Sequence, residues 1–207
     1  MNLIVEQAEV ERNRAKFMER IGLYRARGLD FLEHREWLLS WAGPFSGKVI
    51  LEMGCGSGYM TLVMAQAGYR FVSMDRDMEM LYTTALNLAD HDLLGDVGLV
   101  LADATRTPFA AGSFDLVVAV DFFHHVESTS ETLDEIDRVL EPGGEAIISD
   151  FDDDGFDVIA NVQAAEGRVH PVLGAGRGEV YRILRERGYV LKEERRKYHW
   201  SMVAHKP

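Results

Sequence analysis

The sequence contains a single cysteine, Cys55, among its 207 residues. One cysteine can form neither an internal disulfide nor a thiolate metal cluster, which excludes disulfide scaffolds and paired-thiol chemistry. The chain also lacks any run of about 18 or more uncharged apolar residues, so no membrane-spanning helix is expected. Its first eleven residues carry acids and no apolar block, so we expect no signal peptide and a cytoplasmic location.

Basic residues are scarce, with 22 Lys and Arg against 34 Asp and Glu and a formal net charge of -12. This balance repels phosphate backbones and anionic lipids, so neither nucleic acid nor a membrane surface is expected as a partner. The basic C-terminal stretch from Arg182 to Lys206 is interpreted as surface, because Lys and Arg also protect sheet edges. The composition, 47% hydrophobic and 27% charged, is typical of one globular domain.

Strand-like and helix-like apolar patterns alternate along the chain. Residues 1–43 have helical spacing, and the segment from 150 to 178 has the least regular pattern, with a helix indicated near 156–166. The alternation favours a mostly parallel sheet with helices on both faces. The last two strands are too close in sequence for a crossover and should pair antiparallel. Strands are predicted at 48–52, 69–74, 97–101, 114–120, 145–149, 189–194 and 198–204.

A glycine-rich turn, Gly54 to Gly58, joins the first predicted strand to a helix. Backbone N–H groups and the positive end of a helix face a ligand at such a position, and glycine permits close approach. A dinucleotide fingerprint would place a glycine where this chain has Tyr59, and the Gly-Lys-Ser/Thr ending of an NTP loop is missing. NAD, FAD and NTP are therefore disfavoured, and the alternative to another ligand is a tight turn that binds nothing.

The pattern Glu-x-Gly-x-Gly-x-Gly over residues 52–58 resembles motif I of the class I S-adenosylmethionine-dependent methyltransferases. Further matches follow in the family's order. An acid ends the second strand at Asp75, and another follows the third strand at Asp103. The stretch from 107 to 125 resembles the fourth-strand motif, and Leu140-Glu-Pro-Gly-Gly precedes the fifth strand as it does in the family. Several ordered motifs are more specific than one glycine loop.

The resemblance covers roughly residues 45–150 and points to a small, single-domain protein similar to the methyltransferase type 11 group. It implies a Rossmann-like α/β fold whose seven-stranded sheet is mostly parallel, with the last strand antiparallel. Residues 1–44 would form a helical N-terminal cap, 45–150 the cofactor-binding core, and 151–207 a substrate-side segment and final hairpin. No second domain is expected within residues 1–207.

The resemblance also implies an activity, the transfer of a methyl group from S-adenosylmethionine to a small-molecule acceptor by in-line displacement. S-adenosylhomocysteine would be the product. Two alternatives stay open: another transferase that uses the same cofactor on the same fold, and a non-catalytic module that binds the cofactor. The oligomeric state is not indicated.

The family's binding residues map onto this sequence one by one. By this analogy Asp75 accepts hydrogen bonds from both ribose hydroxyls, Asp103 and Ala104 meet adenine, and Glu52 orients the cofactor's ammonium. Tyr24 would close the pocket, although aromatic residues at helical spacing more often belong to the core. The cofactor-binding residues implied are Tyr24, Glu52, Gly54, Cys55, Gly56, Gly58, Asp75, Arg76, Met78, Asp103, Ala104, Asp121 and Phe122.

His124 and His125 follow the fourth predicted strand, whose carboxyl end should face the ligand. Either is a candidate general base, which the reaction needs only if the acceptor arrives protonated. The alternative is a packing role at the strand end. His125 and Glu127 also fit an iron facial triad that needs a distant histidine, but neighbouring extended side chains point apart and no metal is expected. The distant candidates are His170, His199 and His205.

Five aspartates follow the fifth predicted strand. As a pocket wall they would favour a cationic or amine-bearing acceptor or a bound cation. The preferred interpretation is a solvated acidic loop, because runs of like charge usually face water. The five are Asp150, Asp152, Asp153, Asp154 and Asp157.

Overall fold

The computed structural model of the chain describes residues 4–174 and 176–207. Its helices are α1 (Gln7–Arg25), α2 (Phe31–Ala42), α3 (Tyr59–Gln66), α4 (Met78–Ala89), α5 (Thr129–Val139), α6 (Asp153–Ala165) and α7 (Arg177–Glu186). Its strands are β1 (Ile50–Met53), β2 (Phe71–Asp75), β3 (Val97–Leu101), β4 (Phe114–Val120), β5 (Leu140–Phe151), β6 (Val190–Arg196) and β7 (His199–His205). The predicted alternation of strands and helices is confirmed.

The seven strands form one sheet in the order β3-β2-β1-β4-β5-β7-β6. The pairs β1–β2, β2–β3 and β4–β5 are parallel, whereas β7 runs antiparallel to both β5 and β6. This confirms the predicted mostly parallel sheet with an antiparallel last strand. In open parallel sheets ligands bind outside the carboxyl ends of the strands, so the residues that follow the parallel strands are the candidates for ligand contact.

The chain divides into two compact units, and the first joins the residues up to Gly47 with Leu51–Asp103. All four positions of β1 are buried, as expected for a strand whose two faces are both covered. Leu51, Glu52 and Met53 pair with β2 in register from Val72 to Met74. That pairing places the carboxyl ends of β1 and β2 side by side, with the glycine turn directly after β1.

The N-terminal segment is helical, as predicted, over α1 and α2; residues 1–3 lie outside the described part of the chain. Asp30 is the N-cap of α2, and its carboxylate accepts hydrogen bonds from the backbone N–H groups of Leu32 and Glu33 at 3.1 and 3.2 Å. This carboxylate also accepts from Arg25 Nε at 2.6 Å. An N-cap acid satisfies the helix's unpaired donors, which explains why α2 starts here.

The second unit comprises residues 48–50 and 104–207. Its strand β5 begins at Leu140, five residues before the predicted start at residue 145. The Pro142-Gly143-Gly144 turn lies inside this span, where Gly143 has a φ of +79°. The β4–β5 register shifts between Phe114 and Leu116 to accommodate the turn, as a β-bulge does. The expected strand boundary was therefore wrong, because a bulge lets pairing resume on both sides of a glycine turn.

The fourth-strand motif is anchored by one buried carboxylate, Glu135 of α5. Glu135 accepts hydrogen bonds from the Thr107 backbone N–H at 2.7 Å and from its hydroxyl at 2.6 Å. Arg138 donates to the same carboxylate, and this bond is the main reason that the pKa of Glu135 is held at about 2. The Thr107 segment is thus fixed to α5 by charge-assisted hydrogen bonds.

Two arginines of the basic C-terminal stretch pair with acids of the same unit. Arg182 donates to Glu186 one turn away, and Arg187 lies 2.7 Å from Asp134. These ion pairs support the interpretation of the basic stretch as surface, because a cation already paired with a carboxylate attracts a phosphate backbone less strongly. No helix in the described ranges combines the length and the apolar character required to cross a bilayer.

Candidate functional site

The glycine turn after β1 adopts a conformation that requires glycine. Gly54, Gly56 and Gly58 have φ values of +75°, +51° and +79°, in the left-handed region that side chains disfavour. The N–H groups of Gly54 and Cys55 donate to the carbonyl of Met74 at 2.9 and 3.0 Å. The turn is therefore fastened to the end of β2, and Gly58 directly precedes α3 as its N-cap.

Replacing Gly58 with alanine is expected to lower the free energy of unfolding by about 2–4 kcal/mol. The added Cβ would lie 2.8 Å from Thr84 Oγ1 and 3.2 Å from Thr84 Cα. Thr84 cannot simply rotate away, because its hydroxyl donates to the carbonyl of Gly56 at 2.9 Å. Equilibrium unfolding in urea measures the loss.

Gly47→Ala is the matched control for Gly58→Ala. Gly47 has nearly the same φ, +81°, but an added Cβ there meets nothing within 4 Å. Its variant should lose only the left-handed strain, about 1–2 kcal/mol. If the two variants were equally destabilised, the close approach of α4 to the turn would be without energetic consequence.

Glu52, on β1, is a carboxyl group buried to 2% exposure. Its Oε2 accepts hydrogen bonds from Thr61 Oγ1 at 2.7 Å and from Ser73 Oγ at 2.6 Å. Burial raises the pKa of Glu52 to about 7, and the two hydroxyl donors oppose that shift. The group can therefore gain or lose a proton near neutral pH, and a nearby cation would hold it ionised.

Asp75 ends β2 with its carboxylate turned onto the glycine turn. Oδ2 accepts from the N–H of Gly56 at 2.9 Å, and Oδ1 accepts from the N–H of Asp77 at 3.0 Å. The side chain is half-buried, which leaves part of the carboxylate accessible. Asp75 thus both presents an acceptor at the sheet edge and orders the turn beside it.

The remaining predicted residues of the first unit follow β2 and β3. Met78 is 43% exposed at the first position of α4, where an apolar partner could cover it. Arg76 and Asp103 are exposed; Arg76 directly follows β2, and Asp103 lies two residues after the end of β3. Ala104 is the next residue along the chain and begins the 104–207 part of the second unit. These residues follow β2 and β3 along the chain, as predicted, and their contacts with adenine and ribose stay predictions.

Tyr24 lies in an aromatic cluster between α1, α2 and α3. It is 1% exposed, and its ring meets Phe31 edge-on at a centroid distance of 4.8 Å. Phe31 in turn stacks on Tyr59 at 4.8 Å, and the guanidinium of Arg35 lies 5.0 Å from the Phe31 ring centre. This placement favours the core alternative for Tyr24, and it reveals a buried cation, Arg35, that the sequence analysis did not single out.

At the end of β4, Asp121 is a non-glycine residue with a φ of +52°. Aspartate tolerates this region better than most residues, and its N–H donates to the carbonyl of Ser149 at 2.8 Å. Asp121 Oδ1 lies 3.2 Å from His199 Nε2 on β7. Phe122 follows, half-buried and edge-on to Phe123. His199 of β7 therefore lies beside Asp121 at the end of β4, although it is far along the chain from His124 and His125.

The histidine pair lies on a 3-10 turn, Phe123–His125, directly after β4. His124 is 2% exposed, and its Nδ1 lies 2.6 Å from Asp150 Oδ1 while its backbone N–H donates to Asp150 Oδ2 at 3.0 Å. The rings of His124 and His125 are 3.9 Å apart between centroids. The expectation that neighbouring side chains point apart was wrong here, because it assumed extended backbone and the chain instead turns tightly.

The acidic segment over residues 150–157 is only in part the solvated loop that was expected. Asp150 is 2% exposed and bound to His124, and Asp152 caps α6 by accepting from the N–H of Gly155 at 3.0 Å. Asp153 and Asp154 are exposed in the first turn of α6, where acids are stabilised by the helix dipole. The solvated interpretation holds for these two and for the exposed Asp157, and it fails for Asp150 because a histidine partners that carboxylate.

Residues 51–148 match the family model described as a methyltransferase domain. The matched segment runs from β1 into β5 and contains the glycine turn, Asp75 and the histidine pair. Over residues 51–148, just under half of the chain, the sequence is therefore similar to a methyltransferase domain. Outside it lie Tyr24, Arg35, Asp150 and His170.

Curated relatives of the chain include a demethylmenaquinone methyltransferase of Clavibacter sepedonicus, 36% identical over 108 residues. A ubiquinone biosynthesis O-methyltransferase of Caulobacter vibrioides is 32% identical over 102 residues. The matches cover 52% and 49% of this chain but only 43% and 40% of the relatives. The chain thus aligns with less than half the length of these relatives.

A solved structure supports the fold over most of the chain. A SAM-dependent methyltransferase from Aquifex aeolicus superposes with a TM-score of 0.67 at 19% identity, covering 84% of this chain and 89% of the other. At this identity the likeness concerns the fold alone.

The methyltransferase motifs led to the glycine turn, Asp75 and the histidine pair, but they did not reveal their partners. Thr61 and Ser73 are bound to Glu52, and Asp150 is bound to His124. No spacing rule marks a serine or threonine as the partner of a buried acid. The signal that could have found them is polar residues on otherwise apolar elements, as Ser73 is within Phe71–Asp75.

Proposed function

We propose that the protein transfers a methyl group from S-adenosylmethionine to a small-molecule acceptor by in-line displacement. The observation that carries this proposal is the methyltransferase domain over residues 51–148 with its glycine turn, Glu52 and Asp75 in place. Dinucleotide binding is disfavoured by Tyr59 at the position of a third glycine.

The donor set fits the cofactor's amino-acid end. A zwitterion needs an anion for its ammonium and a cation for its carboxylate, and the first unit buries one of each, Glu52 and Arg35. The charge of Arg35 reaches Glu52, since it lowers the carboxyl's pKa against the larger effect of burial. At Gly56 an added Cβ would project into open space, so the turn forms a cradle that a side chain would fill.

When bound, the cofactor supplies an electrophilic methyl group on a positively charged sulfur. Asp75 would hold the ribose through two charge-assisted hydrogen bonds, and Met78 would cover one adenine face. Glu52 would fix the ammonium, so that the sulfonium is positioned for attack along one line. Proton removal is needed only for a protonated acceptor, and His124 and His125 are the proposed groups for it.

An aromatic hydroxyl compound is the acceptor class that the second unit favours. Phe151 and Phe156 lie with ring centroids 5.6 and 5.3 Å from that of His124, which makes this end of the unit aromatic. Asp150 is bound to His124, so its charge is less available to attract an amine. One relative is named for ubiquinone biosynthesis and the other for demethylmenaquinone, in agreement with a hydroxylated aromatic ring. An amine-bearing acceptor is the competing proposal.

The proposal is tested by calorimetric titration with S-adenosylhomocysteine, with NAD as the control ligand, followed by transfer of labelled methyl groups. We expect selective binding of S-adenosylhomocysteine and labelling of catechol-type acceptors above amines of similar size. Preferential labelling of amines would overturn the acceptor class. Tight binding without turnover on any acceptor would indicate a non-catalytic module, and an absence of binding would overturn the cofactor assignment.

A further inference from the structure

Three histidines from two distant stretches of the second unit come together. The ligand nitrogens that His124, His125 and His170 can offer all lie within 4.8 Å of one another. The His170 ring centroid is 5.0 Å from that of His124 and 5.1 Å from that of His125. His170 lies outside the methyltransferase domain match, which ends at residue 148, so the family's motifs do not account for the cluster.

One nitrogen of this histidine cluster (His124, His125 and His170) is buried without a partner. Nε2 of His124 has no hydrogen-bond partner within the described residues, and the side chain is 3% exposed. Its Nδ1 is held by Asp150 at 2.6 Å, so Nε2 is the atom the ring would offer to a ligand. A buried ring nitrogen left without a partner costs free energy, which a ligand at this position would recover.

His170 is oriented in a similar way. Its Nδ1 lies 3.0 Å from the side-chain amide of Gln163 on α6. With the amide oxygen turned to accept from Nδ1–H, His170 also offers Nε2. A carboxylate or amide behind a ring nitrogen is the arrangement that fixes the tautomer of metal-binding histidines.

Backbone hydrogen bonds fix the His170 segment to the histidine turn. The N–H groups of Leu173 and Gly174 donate to the carbonyl of His124 at 2.8 and 3.2 Å. Gly174 packs so closely that an added Cβ would overlap the carbonyl oxygen of Phe123. The proximity of His170 to the pair is thus built into the backbone and does not depend on ring contacts alone.

We propose that His124, His125 and His170 bind one divalent transition-metal ion of the Zn²⁺ type. Imidazole nitrogens suit such ions, and three histidines leave the fourth tetrahedral position open to water or an oxygen ligand. Zinc–nitrogen bonds near 2.0–2.1 Å place ligand atoms about 3.4 Å apart, so the rings would close by about 1.4 Å at most. The exposed His125 and the half-buried His170 provide that movement.

Metal binding at the histidine cluster needs neither cofactor nor acceptor, so it can be tested separately from the proposed methyl transfer. A bound ion would occupy the Nε2 lone pair of His124, which would then not serve as a general base. An oxygen ligand at the open position would instead have its pKa lowered by the ion. The histidine cluster therefore either supplies a general base or binds a metal ion, and the metal titration distinguishes these two roles.

The test is titration of the full chain, freed of metal with a chelator, with Zn²⁺ alone and with Co²⁺ alone. We expect one Zn²⁺ to bind at micromolar concentration or below, and Co²⁺ to give the intense visible absorption of a tetrahedral site. His125→Ala and His170→Ala should each weaken Zn²⁺ binding by at least about ten-fold. His91→Ala, which removes a partly exposed histidine of the other unit, should leave it unchanged.

Two further variants separate ligation from misfolding. Gly174→Ala touches no ligand but should displace the His170 segment and weaken Zn²⁺ binding. Asp150→Asn should weaken it through the orientation of His124. Thermal unfolding without metal verifies that each variant folds. Zn²⁺ binding that is absent from the wild type, or that is unchanged in the folded His125→Ala/His170→Ala double variant, would overturn the proposal.

Discussion

Replacing Asp75 with alanine is expected to weaken the binding of S-adenosylhomocysteine by roughly ten-fold to a thousand-fold. The carboxylate lies at the carboxyl end of β2 and would accept from both ribose hydroxyls. Each charge-assisted bond contributes about 1.5–3 kcal/mol before desolvation is subtracted. Calorimetric titration of the wild type and the variant measures the difference directly.

The structure adds a second role for Asp75 that the experiment must separate. Its carboxylate also accepts from the N–H groups of Gly56 and Asp77, so alanine would loosen the glycine turn as well as remove the ribose contact. Asp75→Asn keeps one acceptor oxygen for the turn but loses the charge and the second acceptor. Its affinity should therefore lie between those of the wild type and the alanine variant.

Asp77→Ala is the matched control for Asp75→Ala. Asp77 caps α4 by accepting from the N–H of Glu79 at 2.8 Å, and it is two residues from Asp75. Its removal should cost about 1 kcal/mol of stability while leaving cofactor affinity close to that of the wild type. If Asp75→Ala bound as tightly as Asp77→Ala, the ribose would not lie on the end of β2.

Strands β3 and β4 begin and end at the predicted residues, whereas the other strands begin or end one to five residues from their predicted bounds. The bounds of β3 and β4 depend on local apolar runs, which periodicity detects. The same holds for the glycine turn itself, whose three positive φ values follow from its three glycines.

What the sequence did not predict depends on contacts between distant segments. Asp150 appeared as one of five aspartates, and nothing local distinguishes the one that binds His124 from those that face water. His170 was one of three distant histidines, and only the hydrogen bonds of Leu173 and Gly174 to the His124 carbonyl select it. Arg35 was not singled out, because nothing in the local sequence shows that its guanidinium lies near two aromatic rings.

The pH dependence of folding should reveal the buried carboxyl of Glu52. The pKa of Glu52 is about 7 in the folded protein, against 4.5 for a glutamate side chain exposed to water. The folded state therefore keeps this proton to higher pH than the unfolded state does. The contribution to stability is full below about pH 4.5 and is lost as pH rises through 7. Between pH 5 and pH 8 the loss amounts to about 2–3 kcal/mol.

Glu52→Gln isolates this contribution, because glutamine can still accept from Thr61 and Ser73 but does not titrate. The wild type should lose about 2–3 kcal/mol relative to Glu52→Gln when urea unfolding is repeated at pH 8 instead of pH 5. A constant difference between the two proteins at both pH values would place the ionisation of Glu52 outside this range.

Cofactor binding should depend on the same proton. If Glu52 must be ionised to hold the cofactor's ammonium, then a pKa of about 7 leaves about a tenth of the free protein competent at pH 6 and nearly all of it at pH 8. Affinity for S-adenosylhomocysteine should therefore be about ten-fold higher at pH 8, with proton release on binding at pH 6. Glu52→Gln should bind weakly at both pH values, since a neutral amide cannot replace the charge. A wild-type pH profile that persists in Glu52→Gln would assign the proton to another group and leave the ammonium without its proposed partner.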